Sequence, residues 1–181
     1  MKAGGTRRKK ATPVRRSGAR SQPTRERILD AAERQFAQRG FHGVSIRDIT
    51  GEAGVDVALA NYHFGSKRGL LEAVVLRRAE DLNTERLARL DALIAGAGRK
   101  APALEEIIDA FTHPLLDRSA RGGPGWKSYF ALIAEVNNSP EFGGVLMTKH
   151  FDPVVQRFIE AIRQALPDCD DRDLYWAYHF L

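Results

Sequence analysis

The chain carries one cysteine, Cys169, so no intrachain disulfide framework holds it together, and this usage fits a reducing cytoplasm. No apolar run approaches the roughly 18 residues that a membrane span needs, so no membrane association is expected. The basic N-terminus leads into no apolar h-region, and no secretory signal is expected either. Long stretches of alternating apolar and polar residues are missing, and every strong periodicity lies near 3.6 residues. The fold expected is therefore all-α. No Cys, His or carboxylate stands at ligand spacing around His63, and neither a metal nor another cofactor is expected. The histidines are scattered without a partnering motif. Cys169 sits in a Pro-Asp-Cys-Asp-Asp turn, where neighbouring acids disfavour a thiolate. An enzyme needs a nucleophile, a base and an orienter in one pocket, and none of this points to one.

What is present is a globular composition with an uneven charge. Of 181 residues, 43% are hydrophobic and 28% charged, which suits one or two domains with a sizeable core. The net charge of +5 divides into +9 over residues 1–27 and −4 over the remainder. Residues 1–23 hold Arg7, Arg8, Lys9, Lys10, Arg15, Arg16 and Arg20 among glycine, proline and almost no large apolar residue. That composition predicts a disordered basic arm able to neutralise phosphates or enter a minor groove. A solvated tail that aids solubility is the plainer alternative.

The organising stretch is Ser45 to Lys67, SIRDITGEAGVDVALANYHFGSK. Ser45 and Asp48 form a capping-box start ahead of Ile46, Ile49 and Ala53. Gly54 supplies a left-handed stop, and Asp56 is an N-cap for a second helix from Val57 to about Phe64. Two short helices around a tight glycine turn make a helix-turn-helix, whose second helix reads the major groove. Before it, Thr24 caps a helix over Arg25 to Arg39, stopped by Gly40, with Phe41 packing back on its end. Ile28, Phe36, Phe41, Ile46, Ile49, Val55, Ala60 and Phe64 are the predicted core of this head, residues 24–70. Arg47 lies opposite the apolar stripe, free to face DNA unless Asp48 or Glu52 pairs with it. Val57, Ala58 and Leu59 suit thymine methyls, and Asn61 suits adenine N6 and N7. Tyr62 and His63 suit phosphates, which fix register. Ser66 caps the next helix, and its free amides with Lys67 form an anion site.

The pattern AGVxxxxxNYHFGSKRGLL, after a helix ending in Gly40-Phe41, resembles the N-terminal domain of TetR-family repressors without a gap from Thr24 to about Leu76. The resemblance implies a cytoplasmic, nucleoid-associated transcriptional regulator that binds double-stranded DNA, most simply a homodimeric repressor on a palindromic operator, released by a small ligand. It also places Arg47 where family members contact bases or phosphate. At Asn61 the family most often has an aromatic, so this chain's base preference is expected to differ. The alternative is a helical small-molecule-binding or interaction protein with only non-specific DNA affinity.

Residues 71–181 read as a helical body. Leu70, Leu71, Val74, Val75 and Leu82 mark a long helix to about Ile94, which in the family links head and body. Pro102 opens the next helix, His113-Pro114 predicts a kink or break within it, and Trp126 to Val136 forms another. Ser139-Pro140 starts a further segment. Asp152-Pro153 starts or kinks a helix that Pro167 ends. A last apolar helix runs LYWAYHFL, and against the family's four-helix dimer interface the chain reads as truncated there. Phe111, His113, Trp126, Tyr129, Phe130, Ile133, Met147, Phe151 and Phe158 are candidates to line an apolar effector pocket. The segments NNSPEF, HFDPVVQRFIEAI and LYWAYHF resemble a branch with fatty-acid-responsive regulators, which implies a hydrophobic effector such as a fatty acid or acyl-CoA.

Overall fold

A computed structural model describes residues 23–139 and 141–180, without the side chains at 143, 145, 147–149, 179 and 180. The expected basic arm, up to residue 22, and the side chain of Met147 therefore lie outside the described residues. Eight helices and no strand form the described structure: α1 Thr24–Arg39, α2 Ile46–Ala53, α3 Val57–Phe64, α4 Lys67–Ala97, α5 Leu104–Arg121, α6 Pro124–Asn137, α7 Gly143–Ala165 and α8 Asp171–Phe180.

Two apolar cores carry the packing. The larger gathers Ile28, Leu29 and Phe36 of α1, Ile49 of α2, Ala60 of α3, Leu70, Leu71 and Val74 of α4, and Leu132 and Val136 of α6. The expected boundary between residues 70 and 71 thus falls inside α4 and inside one continuous core. The smaller core joins Leu90 of α4, Ile107 and Ala110 of α5, and Val154 and Phe158 of α7. Burial of each such aliphatic or aromatic side chain contributes roughly 1.5–3 kcal/mol relative to exposure.

Both internal prolines stand inside helices, which removes the break expected at Pro114 and the helix start expected at Pro153. Pro114 and Pro153 lie inside α5 and α7, which run through them without a break. A proline removes one helical donor, here from the carbonyls of residues 110 and 149. Packing on either side outweighs that loss: Pro114 is itself buried, and Val154 and Phe158 anchor α7 just beyond Pro153. Two other starts shift slightly. Pro23, not Thr24, occupies the cap position of α1, and α5 begins at Leu104 behind Ala103.

Between α1 and α4 lies a buried charge. Glu33 is 3% exposed and accepts from Arg77 Nη2 at 2.5 Å and from Arg78 Nη2 at 2.8 Å and Nε at 3.1 Å. Arg77 also reaches Asp30 at 2.7 Å. The Arg78 guanidinium lies 5.2 Å from the Trp126 ring centroid, so the pair extends to α6. Removing one partner of a buried pair leaves the other charge uncompensated. Glu33→Ala is therefore expected to destabilise the fold by about 3 kcal/mol, as measured by the urea midpoint. An unchanged midpoint would show that the pair contributes nothing to the packing of α1 on α4.

Candidate nucleic-acid interface and effector cavity

The head is set by caps that the local sequence specifies. The Ser45 hydroxyl accepts from the Asp48 amide at 3.1 Å, and the Asp48 carboxylate accepts from the Ser45 amide at 2.8 Å. These hydrogen bonds from the Ser45 side chain and backbone hold the Asp48 carboxyl below its ordinary value. Gly54 ends α2 at φ 63°, a conformation that favours glycine. Arg27 then donates to the Ala53 and Gly54 carbonyls at 2.5 and 2.8 Å, satisfying the helix end and tying α1 to the turn. The Asp56 carboxylate accepts from the Ala58 amide at 2.7 Å and starts α3.

Only Ala60 of α3 is buried, so the helix is held by one face and offers the rest outward. Ala58, Leu59, Asn61, Tyr62 and His63 are exposed, Tyr62 to 83%, and Val57 is half-buried. The Tyr62 and His63 rings meet edge to face at 5.2 Å. Arg47 is exposed on α2 and makes no ion pair with the acids beside it. Asp48 is occupied by Ser45, and Glu52 accepts from the Gln35 amide at 2.5 Å and from Arg34 at 2.7 Å. Those contacts, the Gln35 amide first, hold the Glu52 carboxyl below its ordinary value. A guanidinium and a row of small, amide and aromatic groups thus share the outer surface of the helix pair.

Lys67 takes a different position. Its ammonium donates to the Phe41 and Val44 carbonyls, both at 2.8 Å, and lies 4.2 Å from the Phe41 ring centroid. It therefore fastens the α1–α2 loop to the start of α4, leaving at most one N–H for a phosphate. Ser66 does cap α4, its hydroxyl accepting from the Gly69 amide at 3.0 Å. A Cβ at Gly69 would stand 2.3 Å from the Phe64 carbonyl oxygen, so the chain between α3 and α4 closes only over glycine.

A cavity of about 700 Å³, partly open to solvent, lies between α4, α5, α6, α7 and α8 of the body. Of the predicted pocket residues, Phe111, Tyr129, Phe130, Ile133 and Phe151 line it. Three do not. His113 turns outward, half-exposed, toward Asp109. Trp126 is buried between the guanidiniums of Arg78 and Arg118. Phe158 lies in the smaller core, its ring edge to face with Phe111 at 5.0 Å. Periodicity marks all three as inward or aromatic, but the face that meets the cavity depends on how the helices cross. The sequence reading missed Arg86, a 6% exposed guanidinium in the cavity wall. Its signal is present: Leu82, Arg86 and Leu90 fall on one stripe of α4, with a charge in an apolar phase.

Because Lys67 holds two backbone carbonyls, Lys67→Ala is expected to lower stability by roughly 1.5–3 kcal/mol, measured by denaturant titration without DNA. A variant with wild-type stability and weakened DNA binding would return Lys67 to a phosphate-contacting role.

Residues 28–74 match the family described as bacterial regulatory proteins, tetR family, and residues 109–181 match the tetracyclin repressor-like C-terminal domain. The HTH-type transcriptional regulator UidR of Escherichia coli K12 is 30% identical over 144 residues, 78% of this chain and 67% of UidR. The HTH-type transcriptional regulator BetI of Agrobacterium fabrum is 39% identical over 117 residues, 65% of this chain and 53% of BetI. Among solved structures, a tetR family transcription regulator from Shewanella sp. PV-4 aligns with a TM-score of 0.60 at 23% identity, covering 81% of this chain and 71% of its own. The multidrug binding protein EbrR, solved with malachite green, aligns with a TM-score of 0.55 at 20% identity, covering 78% of this chain and 83% of its own. Those two likenesses extend the shared fold to the body. Members of this family are DNA-binding regulators and not enzymes, and the chain belongs to it: it is a TetR-family transcriptional regulator.

Proposed function

We propose that this regulator is a repressor that binds a palindromic operator as a homodimer and is released by a small hydrophobic effector held in the body cavity. The observation that carries the DNA-reading half is the outer surface of α2 and α3. Arg47 has no acid partner among the described residues, and Ala58, Leu59, Asn61, Tyr62 and His63 stand exposed beside it. Arg47 is suited to guanine O6 and N7, Asn61 to adenine, Val57, Ala58 and Leu59 to thymine methyls, and Tyr62 and His63 to phosphates. A two-fold pairing of such heads sets two recognition helices in successive major grooves, which is why a palindrome is expected.

The cavity supports the effector half. Its volume falls in the range of small-molecule sites, and apolar groups make up most of its wall. EbrR, which shares the fold, was solved with malachite green. A fatty acid or acyl-CoA remains the effector class that the body segments suggest. Exposed Leu116, Tyr175 and Trp176 supply apolar surface for a partner subunit. No described helix is long and apolar enough to cross a membrane, and the proposed site of action is the nucleoid in the cytoplasm.

Selection from random duplexes at moderate salt tests the reading. An enriched palindrome is the expected result. An enriched half-site alone would remove the dimer from the proposal, and salt-sensitive retention without enrichment would remove sequence-specific regulation. On the enriched duplex, Arg47→Ala is expected to cost roughly 1–3 kcal/mol and to relax preference at one position, read by fluorescence anisotropy on the duplex and its single-base variants. Equal losses on all variants would make Arg47 a phosphate contact.

A further inference from the structure

The geometry points to a carboxylate as the head group of the effector, paired with the guanidinium of Arg86 at the buried wall of the body cavity. This deepens the effector half of the proposed function and rests on it. Arg86 is 6% exposed, yet every acceptor it meets is neutral. Its Nε donates to the Phe111 carbonyl at 2.8 Å, its Nη1 to the Asn83 side-chain oxygen at 3.3 Å, and its plane lies 3.9 Å from the Phe111 ring centroid. No carboxylate among the described residues stands within ion-pair distance of it. Three arginines packed against the same core helices differ: Arg77 and Arg78 share Glu33, and Arg118 reaches Glu85 at 2.8 Å.

A guanidinium does not shed its proton in a protein, so burial cannot neutralise Arg86. Burial does pull its pKa down, the direction that marks a cation removed from water without an acid beside it. Its Nη2 makes no hydrogen bond among the described residues, leaving one arm of the fork for an oxygen in the cavity. Tyr129 and Tyr178 line the same wall, and neither hydroxyl has a hydrogen-bond partner among the described residues. Burial pushes the Tyr129 phenol up to about 12 and raises that of Tyr178, so both remain O–H donors at neutral pH. A planar anion with two oxygens uses such a set: one oxygen on the guanidinium, the other on a phenol. Asp152, the acid on this cavity, is exposed and makes no ion pair with Arg86. Leu115, Phe130, Ile133 and Val155 provide the apolar wall for the remainder of an amphiphile. A neutral ligand would leave the guanidinium unpaired, and a cationic one would be repelled.

Calorimetric titration of the full chain with decanoate, decanol and decyltrimethylammonium separates these cases, since the three share a tail. Decanoate is expected to bind about tenfold or more tighter than decanol, and the cation not at all. In Arg86→Met that preference is expected to vanish with decanol binding kept, and the ligand-free variant is expected to melt higher, because an uncompensated buried charge is gone. Arg86→Lys, which keeps the charge and loses the fork, is expected to retain part of the preference. Equal or tighter binding of decanol or of the cation overturns the inference. So does a decanoate preference that survives in a lower-melting Arg86→Met, which would make Arg86 a structural clamp. Binding of none of the three overturns it together with the hydrophobic-effector reading. Duplex selection on the same preparation decides the DNA-reading half separately.

Discussion

A carboxylate can be buried between two helices only if cations meet it there, and the orientation of the whole head follows from that condition at Glu33. Arg77 and Arg78 are consecutive residues of α4, and both guanidiniums turn to the same carboxylate of α1. Arg78 is held in turn against Trp126 at the start of α6, where a Cβ on Gly125 would stand 2.2 Å from Arg78 Nη2. Three helices thus meet around one ion cluster. The reading pair hangs on the first of them, through Ile49, Ala53 and Ala60 in the common core and through Arg27 at the α2–α3 turn. The recognition helix therefore takes its direction from α4 and α6 as much as from its own caps.

The same α6 that supports the head also walls the cavity. Leu132 and Val136 face the larger core, and Tyr129, Phe130 and Ile133, packed in or against that core, also line the cavity. The proposed release works through this helix: a ligand that favours one position of α6 over another biases the head by no more than its difference in affinity for the two. Arg86 sits on α4 in the same wall, so the two helices that join the head to the body both line the cavity proposed for the effector.

Much of the head was legible because its determinants are local. Ser45 with Asp48, Gly54 and Asp56 act on residues within a few positions, and the structure places each cap where the sequence put it. The exposure of Arg47 and of α3 follows from the same short-range periodicity. Lys67 was not legible in that way. Its acceptors are the carbonyls of Phe41 and Val44, more than twenty residues earlier, and a backbone oxygen leaves no mark in a sequence. At Pro114 and Pro153 the local rule allowed a kink as well as a break or a start, and tertiary packing carries both helices through without a break. In the body, aromatic residues are easy to find and hard to orient: Tyr129 shares the larger core with Trp126 yet also meets the cavity, as Phe111 does, while Trp126 and Phe158 do not. Arg86 was readable as a charge inside an apolar stripe, but only its missing acid, visible in three dimensions, gives that charge a meaning.

The central claim is that the exposed side of α3 is the surface that meets DNA. Photo-crosslinking measures this directly, with benzoylphenylalanine placed at Tyr62 in one preparation and at Leu116 of the body in another, each irradiated with the labelled, selected duplex. Adducts from position 62 and none from position 116 are the expected result. Adducts from position 116, with none from 62, would contradict the account.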